Sequence, residues 1–396
     1  MIVKPKIRGF ICTTAHPAGC REQVRRQIEV ARSRPRIEGP KKVLVIGASA
    51  GYGLASRIAL AYGAGAATLG VIFDKPGSGS RTGSAGWYNT AAFEEFAARD
   101  GLYAKTINGD AFTREIKEKA IQTIKRDLGR VDLVVYSLAA PRRTMPDGTV
   151  YSSVLKTTGA PYTNKTIDLR TNEISEITLS PATPEEIEAT VKVMGGEDWM
   201  DWIKALKDAD AIALDATTVA YSYIGPALTH PMYKDGSIGE AKRDLYRTAD
   251  RITECFGGVQ GFVSVNKALV TQSSSAIPIV PLYISILYKV MKEKGLHEGC
   301  IEQMCRLFGE RLYGGDPQLD EQGLIRIDDW EMRDDVQREV ETLWRKIDNS
   351  NLAESTDLDG YWEDFYRMFG FSTPGVDYDA DVDVEVMIPS IAQDTE

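Results

Sequence analysis

The 396-residue sequence is short of several things, and each shortage removes a class of function. Positive charge is the first: 47 Lys and Arg stand against 57 Asp and Glu, a formal net charge of -10. Affinity for a phosphodiester backbone comes largely from Lys and Arg displacing counterions, so nucleic acid is not an expected partner. Cysteine is scarce and odd in number: Cys12, Cys20, Cys255, Cys300 and Cys305 show no CxxC or Cys/His ligand spacing. That argues against a disulfide framework and for a reducing, cytoplasm-like compartment. His297-Glu-Gly-Cys300 with Cys305 reads as helix packing, because zinc wants three or four convergent ligands, and no metal site is expected. No apolar run reaches the ~18 residues of a membrane span. The longest, from Ala276 to Val290, is broken by Pro278, Pro281, Tyr283 and Ser285 and reads as a buried helix. The opening MIVKPKIRGF lacks the apolar core and small-residue cleavage site of a secretion signal. The expected location is the cytoplasm, with an organelle reached through a removed presequence left open. Internal repeats are also missing.

What is present is a folding composition, 43% hydrophobic and 26% charged. Apolar runs alternate with helical patterns. A strand at 43–47 enters a glycine-rich turn and a helix from Gly53 to about Tyr62; a strand from Thr68 to Phe73 ends at Asp74, and a helix follows around Thr90 to Arg99. Then come a strand near Tyr103 to Ile107, a helix near Arg114 to Leu128 and a strand from Asp132 to Ser137. Such alternation predicts a doubly wound parallel sheet with both faces covered. Between Pro141 and Leu179 the rhythm breaks into an expected β-hairpin excursion. Thr183 and Glu186 form a capping box around Pro184 and begin a helix through Val193, followed by another from about Trp199 to Lys207. A strand at Thr217 to Tyr221, at least one more within 259–271, and helices near Ile277 to Lys292 and Ile301 to Leu312 resume the pattern. An acidic segment around Arg326 to Asp335 precedes helices near Val336 to Ile347 and Tyr361 to Phe369, and the tail from Val376 reads as a surface strand or disordered.

Gly47-Ala48-Ser49-Ala50-Gly51-Tyr52-Gly53 is a GxxxGxG turn between strand and helix. Glycine lets the backbone approach a pyrophosphate, and the free amides of a helix start favour its charge. Asp74 closes the next strand 27 residues after Gly47, where a ribose-reading carboxylate would accept the hydroxyls and repel a 2'-phosphate. NADH is therefore favoured over NADPH, with Phe73 beside the same site. The adjacent Lys75 could hold that phosphate, and Asp74 could instead be a solvated loop residue. Asp110-Ala111 and Ser137-Leu138-Ala139 end the third and fourth strands, on the crevice side of such a sheet. Asp110 reads equally as an adenine contact or a helix N-cap.

Tyr233 and Lys242 follow a strand and lead into a helix. On one continuous helix, nine steps of ~100° would set them on opposite faces, so the chain must bend for them to meet. Asp235-Gly236 offers the bend, and Ser237 with Glu240 reads as a capping box that starts the helix after Ser237. Brought together, the ammonium would stabilise the phenolate and hold the nicotinamide ribose. Kept apart, they are a packing tyrosine and a surface lysine.

The glycine turn, FDKPGSGSRTGSAGWYN, INGDAF, VDLVVYSLAAP, VMGGEDW, AYSYIGP, Tyr233-x8-Lys242, VNKALVTQSSSAIPIVPLY and MKEKGLHEGCIEQ together resemble the trans-2-enoyl-CoA and enoyl-ACP reductase family of the FabV type. The resemblance runs from IRGFICTTAHP to GVDYDADV, nearly the whole chain. It implies an α/β doubly wound Rossmann fold of the short-chain dehydrogenase superfamily, one enlarged domain over 1–396, with hairpin and helices inserted at 141–210 as part of the acyl pocket. It also implies NADH-dependent reduction of an enoyl-CoA or enoyl-ACP thioester in fatty acid synthesis, by a monomer or homodimer. Hydride goes to Cβ. Tyr233 becomes the proton donor or enolate stabiliser, Lys242 a cofactor ligand, Tyr223 a contact of the substrate carbonyl, and Leu269, Val270 and Thr271 a later cofactor segment. Two departures stand out: Asp74 where the family more often has glutamate, and THPMY at Thr229 to Tyr233 where many relatives have an aromatic. These bear on NADH strictness and chain length. His230 reads as pocket lining rather than an acid-base group. The rival readings are a carbonyl or alcohol oxidoreductase, which usually has a shorter Tyr-Lys spacing, and a non-catalytic dinucleotide sensor.

Overall fold

The computed structural model describes residues 1–9 and 11–393. Seven parallel strands form the central sheet: β1 (Lys42–Ile46), β2 (Ala67–Ile72), β3 (Ala104–Asn108), β4 (Val131–Tyr136), β5 (Ile212–Ser222), β6 (Gln260–Val265) and β7 (Ile325–Arg326). Their spatial order is β7-β6-β5-β4-β1-β2-β3. Strand order therefore reverses between β1 and β4, where Val43 pairs with Leu133 and Ile46 with Tyr136. A crevice opens at such a switch point, at the carboxyl ends of the strands.

Burial on both faces explains why these strands read as unbroken apolar runs. Val43, Val45, Leu133 and Val135 face one core with Leu54, Ala55 and Ile58 of helix α1 (Gly51–Gly63). Leu44, Ile46, Val134 and Tyr136 alternate onto the other face, against Trp199, Trp202 and Ile203. Helix α2 (Ala85–Arg99) starts five residues earlier than its pattern suggested, because Ala85 to Asn89 are also buried, while β5 extends back to Ile212 across a register shift before Thr217. Helix α3 (Ser237–Cys255) and helix α4 (Val280–Glu293) complete the frame of the site.

The excursion holds two antiparallel pairs, Arg142–Thr144 with Val150–Ser152 and Tyr162–Asp168 with Glu173–Leu179, where the sequence suggested one hairpin. The Thr183 and Glu186 capping box forms, and Pro184 opens the helix. The larger hairpin is anchored from outside: Lys165 Nζ donates to the carbonyls of Trp344, Arg345 and Ile347 at 3.0, 3.3 and 2.9 Å. These lie at the end of helix Asp334–Lys346, where carbonyls lack helical partners and the dipole favours a cation.

Three local readings are overturned. Ser237 and Glu240 make no capping box: the Ser237 hydroxyl donates to Val154 O at 2.6 Å and Glu240 pairs with Arg243. The insertion thus claims the hydroxyl that a cap would use. Asp110 is not a helix N-cap, since the helix starts at Arg114 and Thr113 caps it; Asp110 closes a local turn by accepting from Phe112 N at 3.0 Å. The tail is neither strand nor loose, as Trp87 Nε1 donates to Val386 O at 2.7 Å, Tyr88 to Val384 O at 2.8 Å, and Ile388 is fully buried. That reading as it concerns 394–396 lies outside the described residues. Among the described residues no helix is long and apolar enough to cross a membrane.

Candidate active site

The glycine turn sits at the β1–β4 switch point. Gly47 has φ +84°, and a Cβ there would lie 2.2 Å from Ser137 O; a Cβ on Gly53 would lie 1.9 Å from Gly47 O. Both positions therefore demand glycine, one by conformation and contact, the other by contact alone. No side chain caps the start of α1 at Ala50, and the first helical amide bonded within the helix is that of Leu54. The amides of Gly51, Tyr52 and Gly53 are thus positioned to receive an anion at the positive helix end. Gly53→Ala should push the Gly47 carbonyl aside at a cost of ~1–3 kcal/mol, the usual penalty of overpacking. Its thermal midpoint should fall, and NADH, the expected ligand, should raise that midpoint far less than in the parent protein; an unaltered melt with the parent's full NADH response would refute the tight contact.

The other nucleotide candidates line the same sheet edge. Asp74 follows β2, half-buried, and its Oδ1 accepts from the Ser84 hydroxyl at 2.7 Å; Asn108 brackets its backbone at 2.9 and 3.0 Å. Phe73 is 77% exposed beside it, an apolar ring at a strand end where burial would otherwise be the rule. Ser137 N–H donates to Ile46 O at 2.9 Å, tying the end of β4 to β1, with Leu138 and Ala139 next in line. Ala111 is buried. Leu269 and Val270 are buried after β6, and the Thr271 methyl lies 4.0 Å from where a Cβ on Gly51 would be, so this segment faces the glycine turn.

Tyr233 and Lys242 are gathered by the end of β5. Lys242 Nζ donates to Tyr221 O at 3.1 Å, while two residues on the Tyr223 ring meets Tyr233 edge-on at 4.8 Å and 79°. Gly239 makes the bend close: a Cβ there would lie 2.4 Å from Tyr233 O, so the chain bearing Tyr233 folds back over the first turn of α3. Lys242 stands three residues beyond Gly239, on the same helix face. Among the described residues no hydrogen bond joins the two side chains directly. Burial, seconded by the charge of Glu331, pushes the Tyr233 phenol well above its ordinary pKa, so the hydroxyl keeps its proton. Burial also pushes the Lys242 ammonium down to about 8. His230 Nε2 lies 3.0 Å from Gly225 O and its ring is tied to the local turn.

One group at this centre escaped the sequence reading. Glu331, within the stretch taken only as an acidic segment, is fully buried and accepts from Tyr223 at 3.1 Å, Tyr283 at 2.7 Å and Ala268 N at 2.7 Å. The one hint was its place between Trp330 and Met332 in an otherwise charged run.

Comparison with known proteins gives matches along the chain. Residues 81–313 match the family model described as the trans-2-enoyl-CoA reductase catalytic region, and residues 2–79 match the NAD(P)H binding domain of trans-2-enoyl-CoA reductase. Residues 319–382 match a model described as the enoyl reductase FAD binding domain. The chain is 56% identical over 394 residues to a trans-2-enoyl-CoA reductase [NADH] of Ruminiclostridium cellulolyticum, covering 99% of this chain and 100% of the relative. With an enoyl-[acyl-carrier-protein] reductase [NADH] of Flavobacterium johnsoniae it shares 58% over 395 residues, again 99% and 100%. The crystal structure of Treponema denticola trans-2-enoyl-CoA reductase in complex with NAD superposes with a TM-score of 0.94 at 50% identity, covering 98% of this chain and 99% of the other.

The glycine turn fits a nicotinamide dinucleotide by its open amides and enforced glycines. The 319–382 segment does not fit a flavin. Among its described residues β7 pairs with β6, and Val336, Val340, Trp344, Tyr361, Phe365 and Phe369 are spent on the core, with no glycine-rich strand-to-helix turn to cradle a pyrophosphate.

Proposed function

The chain belongs to the trans-2-enoyl-CoA reductase family, and from that premise we propose that it uses NADH to reduce the trans-2 double bond of an enoyl thioester, as in fatty acid synthesis, with Tyr233 and Lys242 at the reacting centre. The observation that carries the assignment of these residues is the shared strand end: an ammonium bonded to Tyr221 O in β5 and a proton-bearing buried phenol against the ring of Tyr223, the residue that follows the strand.

NADH, when bound, would supply the hydride for Cβ. The amides of Gly51 to Gly53 and the close backbone of Gly47 take the pyrophosphate. Ser49, Ala48 and Ala50 complete that loop, and Leu138, Ala139, Leu269, Val270 and Thr271 pack around the cofactor. Asp74 accepts the adenosine ribose hydroxyls; a carboxylate has about four acceptor sites, so the bond from Ser84 leaves room. Phe73 and Asp110 flank the adenine end. Lys242 donates to the nicotinamide ribose and its charge favours the electron-rich transition state.

Negative charge develops on the thioester oxygen as Cβ is reduced, and Tyr233 donates to it. Tyr223 is the second contact: in the free protein its one hydroxyl proton goes to Glu331, and donation to the thioester oxygen takes that proton out of the carboxylate bond while the ring stays against Tyr233. A proton taken up from solvent at Cα, as the enolate collapses back to the thioester, completes the reduction. Donors aimed at a developing oxyanion are typically worth ~10²–10³ in turnover. A cavity of 230 Å³ lies between the larger hairpin and the start of α4, lined by Ile167, Ile177, Ile277 and Pro281 together with the charged Asp168 and Arg170, and it gives the acyl chain a partly apolar place built in part from the insertion at 141–210.

The assignment is tested by following NADH absorbance with crotonyl-CoA, longer enoyl-CoA and enoyl-ACP substrates against simple ketones. Oxidation with enoyl thioesters and none with ketones is expected, and the ranking of carriers and chain lengths identifies the preferred one. Binding of NADH without turnover of any enoyl thioester would overturn it.

A further inference from the structure

Two carboxylates in the stretch from Asp328 to Asp335 are wholly buried, and they are treated differently. Asp328 is neutralised by Arg326 at 2.6 Å. Glu331 forms no ion pair among the described residues, although the buried Lys267 ammonium attracts it through space; its carboxylate is met directly by neutral donors, two phenols and one backbone amide. Gln337 Nε2 closes the arrangement by donating to Glu331 O at 2.7 Å and to the Tyr283 oxygen at 3.2 Å. Packing alone has no use for a buried carboxylate so held, because an apolar side chain of the same volume would carry no desolvation cost.

Each donor leads to the site already described. Tyr223, on Oε1, presents its ring edge to Tyr233. Ala268 N–H, on Oε2, opens the run Leu269 to Thr271 that faces the glycine turn. Tyr283, also on Oε1, ties the carboxylate to α4, which follows the segment lining the cavity. Gly225 shows how little slack Tyr223 has, since a Cβ there would lie 2.6 Å from its hydroxyl oxygen.

We propose that Glu331 is a positioning residue for the reduction: one carboxylate oxygen fixes the phenol that backs Tyr233, and the other fixes the backbone entering the cofactor segment. A single buried group then holds the substrate-carbonyl side and the nucleotide side of the site in register. This rests on the roles assigned above to Tyr223 and Tyr233. Glutamine would not separate these roles, because its NH₂ can donate to both phenol oxygens while its oxygen keeps the Ala268 N–H. Methionine is unbranched like glutamate and offers neither oxygen, so both halves of the register are lost.

The test is a double-mutant cycle between Glu331→Met and Tyr223→Phe in the full-length enzyme, with kcat and the NADH dissociation constant measured for each variant. Glu331→Met alone should lower kcat about tenfold or more and weaken NADH about threefold or more, as groups in one network couple by such factors. In the Tyr223→Phe background it should cost less than about a further threefold in kcat, while the NADH effect persists because it runs through Ala268. Merely weakened packing would lower the melting temperature in both backgrounds and leave this split absent. Additive kcat losses, or unchanged kcat and NADH affinity in Glu331→Met, overturn the proposal. If Glu331→Met does not fold, Tyr283→Phe, which strips one donor from the same oxygen and keeps the carboxylate, replaces it in the cycle under the same kcat criterion. Near-normal turnover in Tyr223→Phe by itself rejects the role assigned to Tyr223, a result distinct from additivity, which rejects Glu331 alone.

Discussion

Tyr233→Phe should lose at least about two orders of magnitude in turnover while binding NADH as tightly as the parent enzyme, because a positioned general acid contributes ~10²–10⁴ and only one oxygen is removed. The ring stays. Its edge contact with Tyr223, 4.8 Å between centroids, is made by carbon, and the hydroxyl supports no hydrogen bond among the described residues that the fold would miss. The structure therefore separates chemistry from stability at this position: the melting temperature should hardly change. Stopped-flow hydride transfer and equilibrium NADH titration on the same preparation check both halves. Turnover within a few-fold of the parent would leave the thioester oxygen without its assigned donor, and the proposed site would fail.

Lys242→Met should cost about a hundredfold or more in kcat/KM, since charged hydrogen bonds are worth ~1.5–3 kcal/mol each and an ammonium facing a ribose makes more than one. The pH dependence gives a second, independent signature. In the empty enzyme burial lowers the Lys242 pKa from 10.5 to about 8, so the ammonium is present below that value and lost as pH rises through it. NADH affinity of the parent enzyme should accordingly weaken above about pH 8. Lys242→Met should lack that step. Stability runs the opposite way: between about 8 and 10.5 the unfolded chain binds more protons at this lysine than the folded one, so the free enzyme gains stability with rising pH in that window. Lys267, fully enclosed and also lowered to about 8, adds to the same trend. Fluorescence titration with NADH across pH 6 to 10, paired with melts of the unliganded enzyme, reads both; parallel pH profiles for parent and Lys242→Met would remove Lys242 from the nucleotide site.

Several elements were legible because one local signal sufficed. Strands β1, β2 and β4 announced themselves as apolar runs since both faces of a parallel sheet are buried, and the GxxxGxG turn was visible because only glycine tolerates the Gly47 and Gly53 contacts. The Thr183 and Glu186 capping box was read from four residues and formed as read, since all its partners lie within one turn. The same pattern at Ser237 and Glu240 failed. There a distant segment, the backbone of Val154 and Lys156, reached the serine first, and no sequence window contains that competition.

Sequence alone determined the doubly wound order of strands and helices and the nucleotide turn, because periodicity and glycine placement are properties of neighbours along the chain, while Tyr233 and Lys242 became candidates through the family resemblance. Tertiary structure alone decided that Gly239 lets Tyr233 fold back toward the helix bearing Lys242, that the tail packs against α2, and that Glu331, lost in a charged run, stands buried behind Tyr223. Burial and long-range hydrogen bonding depend on which residues meet across hundreds of positions, and one pattern of charges serves equally for a solvated surface and for a carboxylate enclosed by phenols.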